Sequence, residues 1–368
     1  MADSTMVAKP GANDMCRVLP TSTVAGNSNF NTQTRASTST SKNETRSFQI
    51  IRKVLKSHGI SKSTRDIILQ SWRSSTKKQY DIYLRKWFTY CKKSTNPIKP
   101  HINEVLQFLT QLYTNGLNYS ALNTARSALS IFLNICSNIN IHENELISRF
   151  MKGCFNSRPS LPRYCHMWDV KVVLDYLHTL KISTLLDLSR KLCILLLLVT
   201  GQRCQTIHSI QLNDISFDKN TTMVTIQPNT LLKQSRPGKH LKPMYLKAYE
   251  GKMNVCVVKT LVEYLDRTKE IRNSQFLFIT TTSPYKTASK STISRWIKDI
   301  MRAAGVDEVF KPHSTRSAAT SKASLVGLSL QHILDTAGWS NAKTFATFYQ
   351  KTIVEPSSMQ FQSAVLDT

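Results

Sequence analysis

Hydrophobic and polar positions first fall into helical order near Ser61. Between residues 75 and 93, Tyr80, Tyr83, Leu84, Trp87, Phe88 and Cys91 recur at i, i+3, i+4, i+7, i+8 and i+11, which puts them on one face of a helix. Lys78, Arg85 and Lys92, spaced by seven, form a basic stripe on another side. On an isolated helix such a stripe is an ordinary solvated face. The same period predicts helices over 103–115 (closed by Gly116), 120–135 and 144–155, together a small all-α bundle. Two prolines then break the periodicity over 156–163, which reads as an interdomain linker.

Beyond the linker, 168–180 and 183–199 read as helices, the second apolar nearly all round and therefore buried. A short helix near 202–212 follows, then a hairpin signal over 221–228 and 240–246 around Pro237-Gly238. A helix over 255–271, a third strand over 276–280 and three or four helices up to Tyr349 complete the pattern. The expected fold class is mainly α with a small antiparallel β-sheet, an α+β arrangement. The expected domains are a leader (1–60), a helical domain (61–156), the linker (157–163), a second domain (164–355) and a tail (356–368). The first 46 residues hold 14 Ser or Thr and five Asn with no apolar period, so they cannot repay the entropy of ordering and a disordered leader is expected.

Composition adds a partner. The 368 residues carry 49 Lys plus Arg against 23 Asp plus Glu, a net charge of +26 that points to a polyanion, most plausibly nucleic acid. The excess is spread as +5 over 1–60, +9 over 61–159 and +13 over 160–355, with −1 in the tail. Two basic bodies gripping one duplex fit this distribution, and Arg126 joins Lys78, Arg85 and Lys92 as a candidate DNA contact. The longest apolar run, 192–199, is far shorter than the roughly 20 residues of a membrane span, and the opening residues lack a signal-peptide pattern. A soluble, unsecreted protein is expected, with nuclear residence following from a DNA substrate. Eight scattered cysteines without a CxxC pair argue for buried reduced thiols and no metal site.

No phosphate-cradling GxxxxGK[ST] loop, GxGxxG fingerprint, HExxH helix or dense acidic cluster occurs. DNA breakage, if it happens, therefore falls to side chains alone: a nucleophile, cations for the phosphate oxygens, and groups that move protons. Such a set appears in order: Arg203 in Thr200-Gly-Gln-Arg203, Lys233 in Leu231-Leu-Lys-Gln-Ser-Arg-Pro-Gly238, His313 and Arg316 in His-Ser-Thr-Arg, Trp339 after Gly338, and Tyr349 after Phe348. Singly, each has a plain alternative. Arg203 could be a helix-end cation, His313 and Arg316 a surface pair, Lys233 a solvated turn lysine, and Trp339 and Tyr349 core aromatics. Their conjunction in one order is what weighs.

These motifs resemble the tyrosine recombinase (phage integrase-like) family over about 61–351. Their wording, TGQRCQT, LLKQSRPGK and AGWS followed by KTFATFY, is most similar to the recombinases of DIRS-type retrotransposons in animals. The resemblance implies a core-binding domain followed by a catalytic domain, acting as a clamp and as a homotetramer on two double-stranded DNA sites. It implies that Tyr349 attacks the scissile phosphate to leave a 3′-phosphotyrosine, Arg203 and Arg316 grip the phosphate, His313 moves the tyrosine's proton, Lys233 protonates the leaving 5′-oxygen and Trp339 buttresses the phosphate through its indole N–H. Lys239 is the rival general acid. No cofactor is implied, because the phosphotyrosine keeps the bond energy. A type IB topoisomerase and an inactive DNA-binding descendant of a mobile element are the competing readings. Two departures stand out: Thr206 replaces the carboxylate many relatives carry three residues after the first arginine, and Trp339 and Tyr349 are ten positions apart instead of nine.

Overall fold

A computed structural model describes residues 46–91, 96–159, 163–164, 166–251 and 253–353, in two compact units divided after Ser160. The first unit is helical: α1 Arg46–Ser57, α2 Lys62–Gln70, α3 Ser74–Cys91, α4 Ile102–Thr114, α5 Tyr119–Ser137 and α6 Glu145–Ser157. Its caps are written in the sequence. The side chains of Ser61, Asn118 and Asn144 accept from backbone N–H groups in the first turns of α2, α5 and α6, filling donors a helix start leaves unpaired. Gly116, in the left-handed region at φ +85°, ends α4. Trp87, Phe108, Leu129 and Phe132 sit at the centre, and the Trp87 indole donates to Pro97 O at 2.9 Å.

The leader was expected to run to residue 60, yet Arg46–Ser57 is helical and buries Phe48, Ile51 and Leu55 in this core. Three apolar residues at helical spacing among basic ones are a weak local signal. What fixes the helix is the packing of α1 on α3 and α5. The leader over 1–45 and the tail over 356–368 lie outside the described residues, as do 160–162 of the linker.

The second unit comprises β1 His166–Met167, α7 Val170–Thr179, α8 Leu185–Thr200, α9 Cys204–Ser209, β2 Ile215–Phe217, β3 Met223–Ile226, β4 Met244–Lys247, α10 Val257–Thr268, α11 Lys290–Ala303, α12 Ser314–Leu325, α13 Leu330–Ala337, α14 Ala342–Phe348 and β5 Thr352–Ile353. As its composition demands, α8 is the hub, with α10, α11 and α12 packed around it. Leu188, Leu192, Ile194, Leu195, Leu196 and Leu197 are all sealed from solvent. Each such side chain contributes about 1.5–3 kcal/mol through burial. The sheet is antiparallel in the order β2-β3-β4, with Ile215 opposite Ile226 and Val224 opposite Leu246. Among the described residues no helix is long and apolar enough to cross a membrane.

The third strand is thus Ile215–Phe217, and not 276–280 as expected. Leu277, Phe278 and Ile279 are buried as a strand would be, but their backbone partners are scattered. Leu277 N donates to Ile210 O, Ile279 N to the Tyr264 hydroxyl and Ala288 N to Phe278 O, leaving isolated bridges in place of a ladder. A second pairing has no sequence signal: β1 and β5 align in parallel, tying the chain after Tyr349 to the start of the unit.

Candidate active site

The site is built around helix ends in the second unit. Thr200 ends α8, and Gly201, at φ +58°, turns the chain out of the helix. A Cβ there would lie 3.2 Å from the Thr320 methyl, so both the left-handed backbone and the close approach of α12 call for glycine. Gln202 anchors the turn by donating to Thr336 O at 2.7 Å. Arg203, next in line, caps α9 and points its guanidinium at the loop between β3 and β4, where Nη1 donates to Gln234 Oε1 at 3.1 Å.

Arg316 rises from the first turn of α12 and is wholly enclosed. Its Nη1 donates to Gly201 O and its Nη2 to Ala337 O, the latter at 2.8 Å. Both carbonyls close helix C-termini, those of α8 and α13, where orphan acceptors and the negative end of the helix dipole receive a cation. The guanidinium lies over the Trp339 ring at 3.9 Å, a cation–π contact. Burial, and then the charge of Arg203, pull its pKa down to about 9, while Tyr349 works the other way; it remains a cation at neutral pH. Its Nε and the Trp339 indole N–H are buried without a hydrogen-bond partner among the described residues.

Gly338, at φ +70°, ends α13, and a Cβ on it would approach Leu241 to 2.9 Å. Trp339 follows, packed against Phe345 and Tyr349 at 5.4 and 4.5 Å between ring centroids. Tyr349 is the C-cap of α14, its N–H still donating to Phe345 O at 2.8 Å. Its carbonyl accepts from Ser317 Oγ at 2.9 Å and Ser321 Oγ at 2.7 Å, a pair one turn apart on α12. Its hydroxyl meets His313 Nε2 at 3.3 Å. Loss of water around the His313 ring, then the charges of Arg203, Arg316 and Lys233, hold its pKa below the usual histidine value. The ring is therefore neutral near pH 7 and able to accept a proton.

Lys233 is exposed and lines a recess of about 280 Å³ with Arg203, Gln234, Lys239 and Trp339. Lys233 is close enough to depress His313, whereas the charge of Lys239 falls on Asp335. A second cavity, of about 370 Å³, is bordered by Arg163, Lys311, His313, Tyr349 and Lys351. All six residues singled out by the motifs therefore meet in one place. The serine pair holding Tyr349, and Gln234, are additions that no local sequence signal marked.

The candidate DNA contacts belong to the other unit. Lys78 is exposed on α3, and Arg85, exposed on the same helix, pairs with the Asp81 carboxylate at 3.0 Å. Arg126 on α5 is half-buried with its Nε unpartnered, and Lys92 lies outside the described residues. The described cysteines are free thiols, and burial pushes those of Cys136 and Cys204 up to about 11.

Residues 169–353 match the phage integrase family. No curated protein shows a significant match to the chain. Among solved structures, the fold is similar to that of the XerH site-specific recombinase bound to difH substrate (16% identity, 78% of either chain covered, TM-score 0.52). It is similar to the Tn1549 transposon integrase in complex with transposon right end DNA (14%, 88% of this chain and 99% of that one, 0.52). A lambda integrase dimer bound to a COC′ core site also shares it (16%, 83% and 94%, 0.50).

Proposed function

The chain belongs to the phage integrase family and is a tyrosine recombinase, and from that premise we propose that it cleaves and rejoins DNA site-specifically through a 3′-phosphotyrosine. The observation that supports this most is the set of unsatisfied donors beside the Tyr349 hydroxyl. Arg316 Nε and Trp339 Nε1 are buried N–H groups without acceptors among the described residues, next to a second guanidinium, and a phosphodiester's oxygens would fill that deficit.

In this mechanism Arg203 and Arg316 stabilise the charge of the pentacoordinate phosphorus, Arg316 with the three N–H groups its two carbonyls leave over. Tyr349 Oη attacks phosphorus and His313 Nε2 takes its proton. The P–O5′ bond breaks, and Lys233 protonates the departing alkoxide. Attack of a 5′-hydroxyl on the phosphotyrosine reverses the sequence on the same or another strand. Double-stranded DNA is the partner, a tetramer on two sites the working assembly, the nucleus its location and a DIRS-type mobile element its origin under this proposal. Lys78, Arg85 and Arg126 would set position on the backbone.

The test is capture of the covalent intermediate. Incubated with a randomised duplex pool and with the DNA flanking its own gene, then denatured, the protein retains strands joined through their 3′ ends, leaving free 5′-hydroxyls. Recovery of no joined DNA from either source overturns the proposal. A pH profile tests the base. At subsaturating DNA the rate reports the free protein, and because the His313 pKa is lowered, adduct formation falls only as pH drops below about 6.5. A limb centred above that value contradicts a neutral His313.

A further inference from the structure

Gln234 stands where three parts of the site meet. It follows Lys233 in the β3–β4 loop, its Oε1 accepts from Arg203 Nη1 at 3.1 Å, and its side chain lies against Gly338, whose Cβ position is 3.5 Å from Nε2. The two guanidiniums are held differently. Arg316 is enclosed and fixed by two backbone carbonyls, whereas Arg203 is half-exposed and its guanidinium bonds to Gln234. Thr206, one turn into α9, offers no carboxylate to take that place. Gln234 Nε2 is itself buried without a hydrogen-bond partner among the described residues.

We propose that Gln234 is the positioning residue for Arg203, aiming its guanidinium at the phosphate and coupling that aim to the seating of the lysine loop. This rests on the phosphotyrosine reading of the site given above. A neutral amide suits the task. A carboxylate at this point would draw a charge-assisted pair and offset part of the cation's charge, whereas the amide oxygen orients Arg203 and leaves that charge for the phosphate. The amide fixes its own orientation: Oε1 must face the arginine, because Nε2 and the guanidinium are both donors. Lysine and arginine thereby move together, since a shift of the loop that withdraws Lys233 also releases Arg203.

The experiment uses the duplex recovered as a covalent adduct and measures single-turnover adduct formation and DNA dissociation separately. Gln234→Leu, with the volume-keeping Gln234→Met as the second variant, lowers the cleavage rate about 10- to 100-fold, the range expected when a reacting group is misplaced by an ångström or less. DNA affinity stays within about twofold and the melting temperature is unchanged. In an Arg203→Lys background the same substitution costs less than about threefold, because the fork it serves is gone. An equal loss in both backgrounds, or a wild-type rate in Gln234→Leu and Gln234→Met, overturns the positioning role and leaves the phosphotyrosine reading intact. Failure of the unaltered protein to form any adduct overturns both.

Discussion

Tyr349→Phe abolishes the covalent adduct, with at least a 10⁴-fold loss of cleavage, while the protein still folds and still binds DNA within about twofold of wild type. The magnitude follows from removing a nucleophile for which no neighbour can substitute. The specificity follows from how Tyr349 is held. Its ring packs on Trp339 at 4.5 Å, and its carbonyl is fixed by Ser317 and Ser321, none of which involves the hydroxyl. What phenylalanine loses is the hydroxyl's contact to His313 at 3.3 Å and its interaction with the Arg316 guanidinium, and a hydrogen bond of this kind has a net stability of about 0.5–1.5 kcal/mol. Denaturation, filter binding and adduct capture separate the three quantities. An undiminished adduct in this variant removes Tyr349 from the chemistry.

Lys233→Ala slows cleavage by about 10²- to 10⁴-fold on ordinary DNA and leaves it nearly unaffected on a duplex whose scissile 5′-oxygen is replaced by sulfur. An alkoxide is a poor leaving group and needs a proton as it departs, the kind of help worth 10²–10⁴. A thiolate leaves without one, its acid having a pKa of about 8.5. Lys239→Ala, by contrast, changes either rate by less than about threefold. The two lysines share one recess, and of the two it is Lys233 whose charge reaches His313, the partner of the Tyr349 hydroxyl. The reverse pattern, with sulfur rescuing Lys239→Ala instead, would transfer the role of acid to Lys239.

Features carried by local chemistry were legible in the sequence. The unbroken apolar run of α8 told of a buried helix, the glycine after it of a sharp exit, and the order of the six motif residues of one site. Features that depend on distant parts of the chain were not. The carbonyls that hold Arg316 come from residues 115 and 21 positions away, and the support of Arg203 from 31 positions away. Nothing in the spelling of α12 says that Ser317 and Ser321 receive the backbone of Tyr349. The ten-residue spacing of Trp339 and Tyr349 did not show how the extra residue is taken up: Tyr349 closes α14 through its N–H to Phe345 O, while its carbonyl is held from α12 by Ser317 and Ser321. Likewise β2 lacked the length to stand out, while the more apolar 276–280 looked like a better strand.

The enclosure of Arg316 between two helix C-termini bears on how such a gene decays. Losing this arginine removes more than a catalytic charge. It strands the carbonyls of Gly201 and Ala337 inside the protein and takes away the surface on which Trp339 lies, so the framework around the site fails with the chemistry. Losing the Tyr349 hydroxyl removes only its contacts to His313 and Arg316 and leaves the ring and carbonyl held. A variant that has lost cleavage but keeps its fold and DNA binding is therefore reached far more readily by changing residue 349 than by changing Arg316. Among sequences related to this one, an intact Arg316 beside an altered residue 349 would mark those that keep the fold without the cleavage.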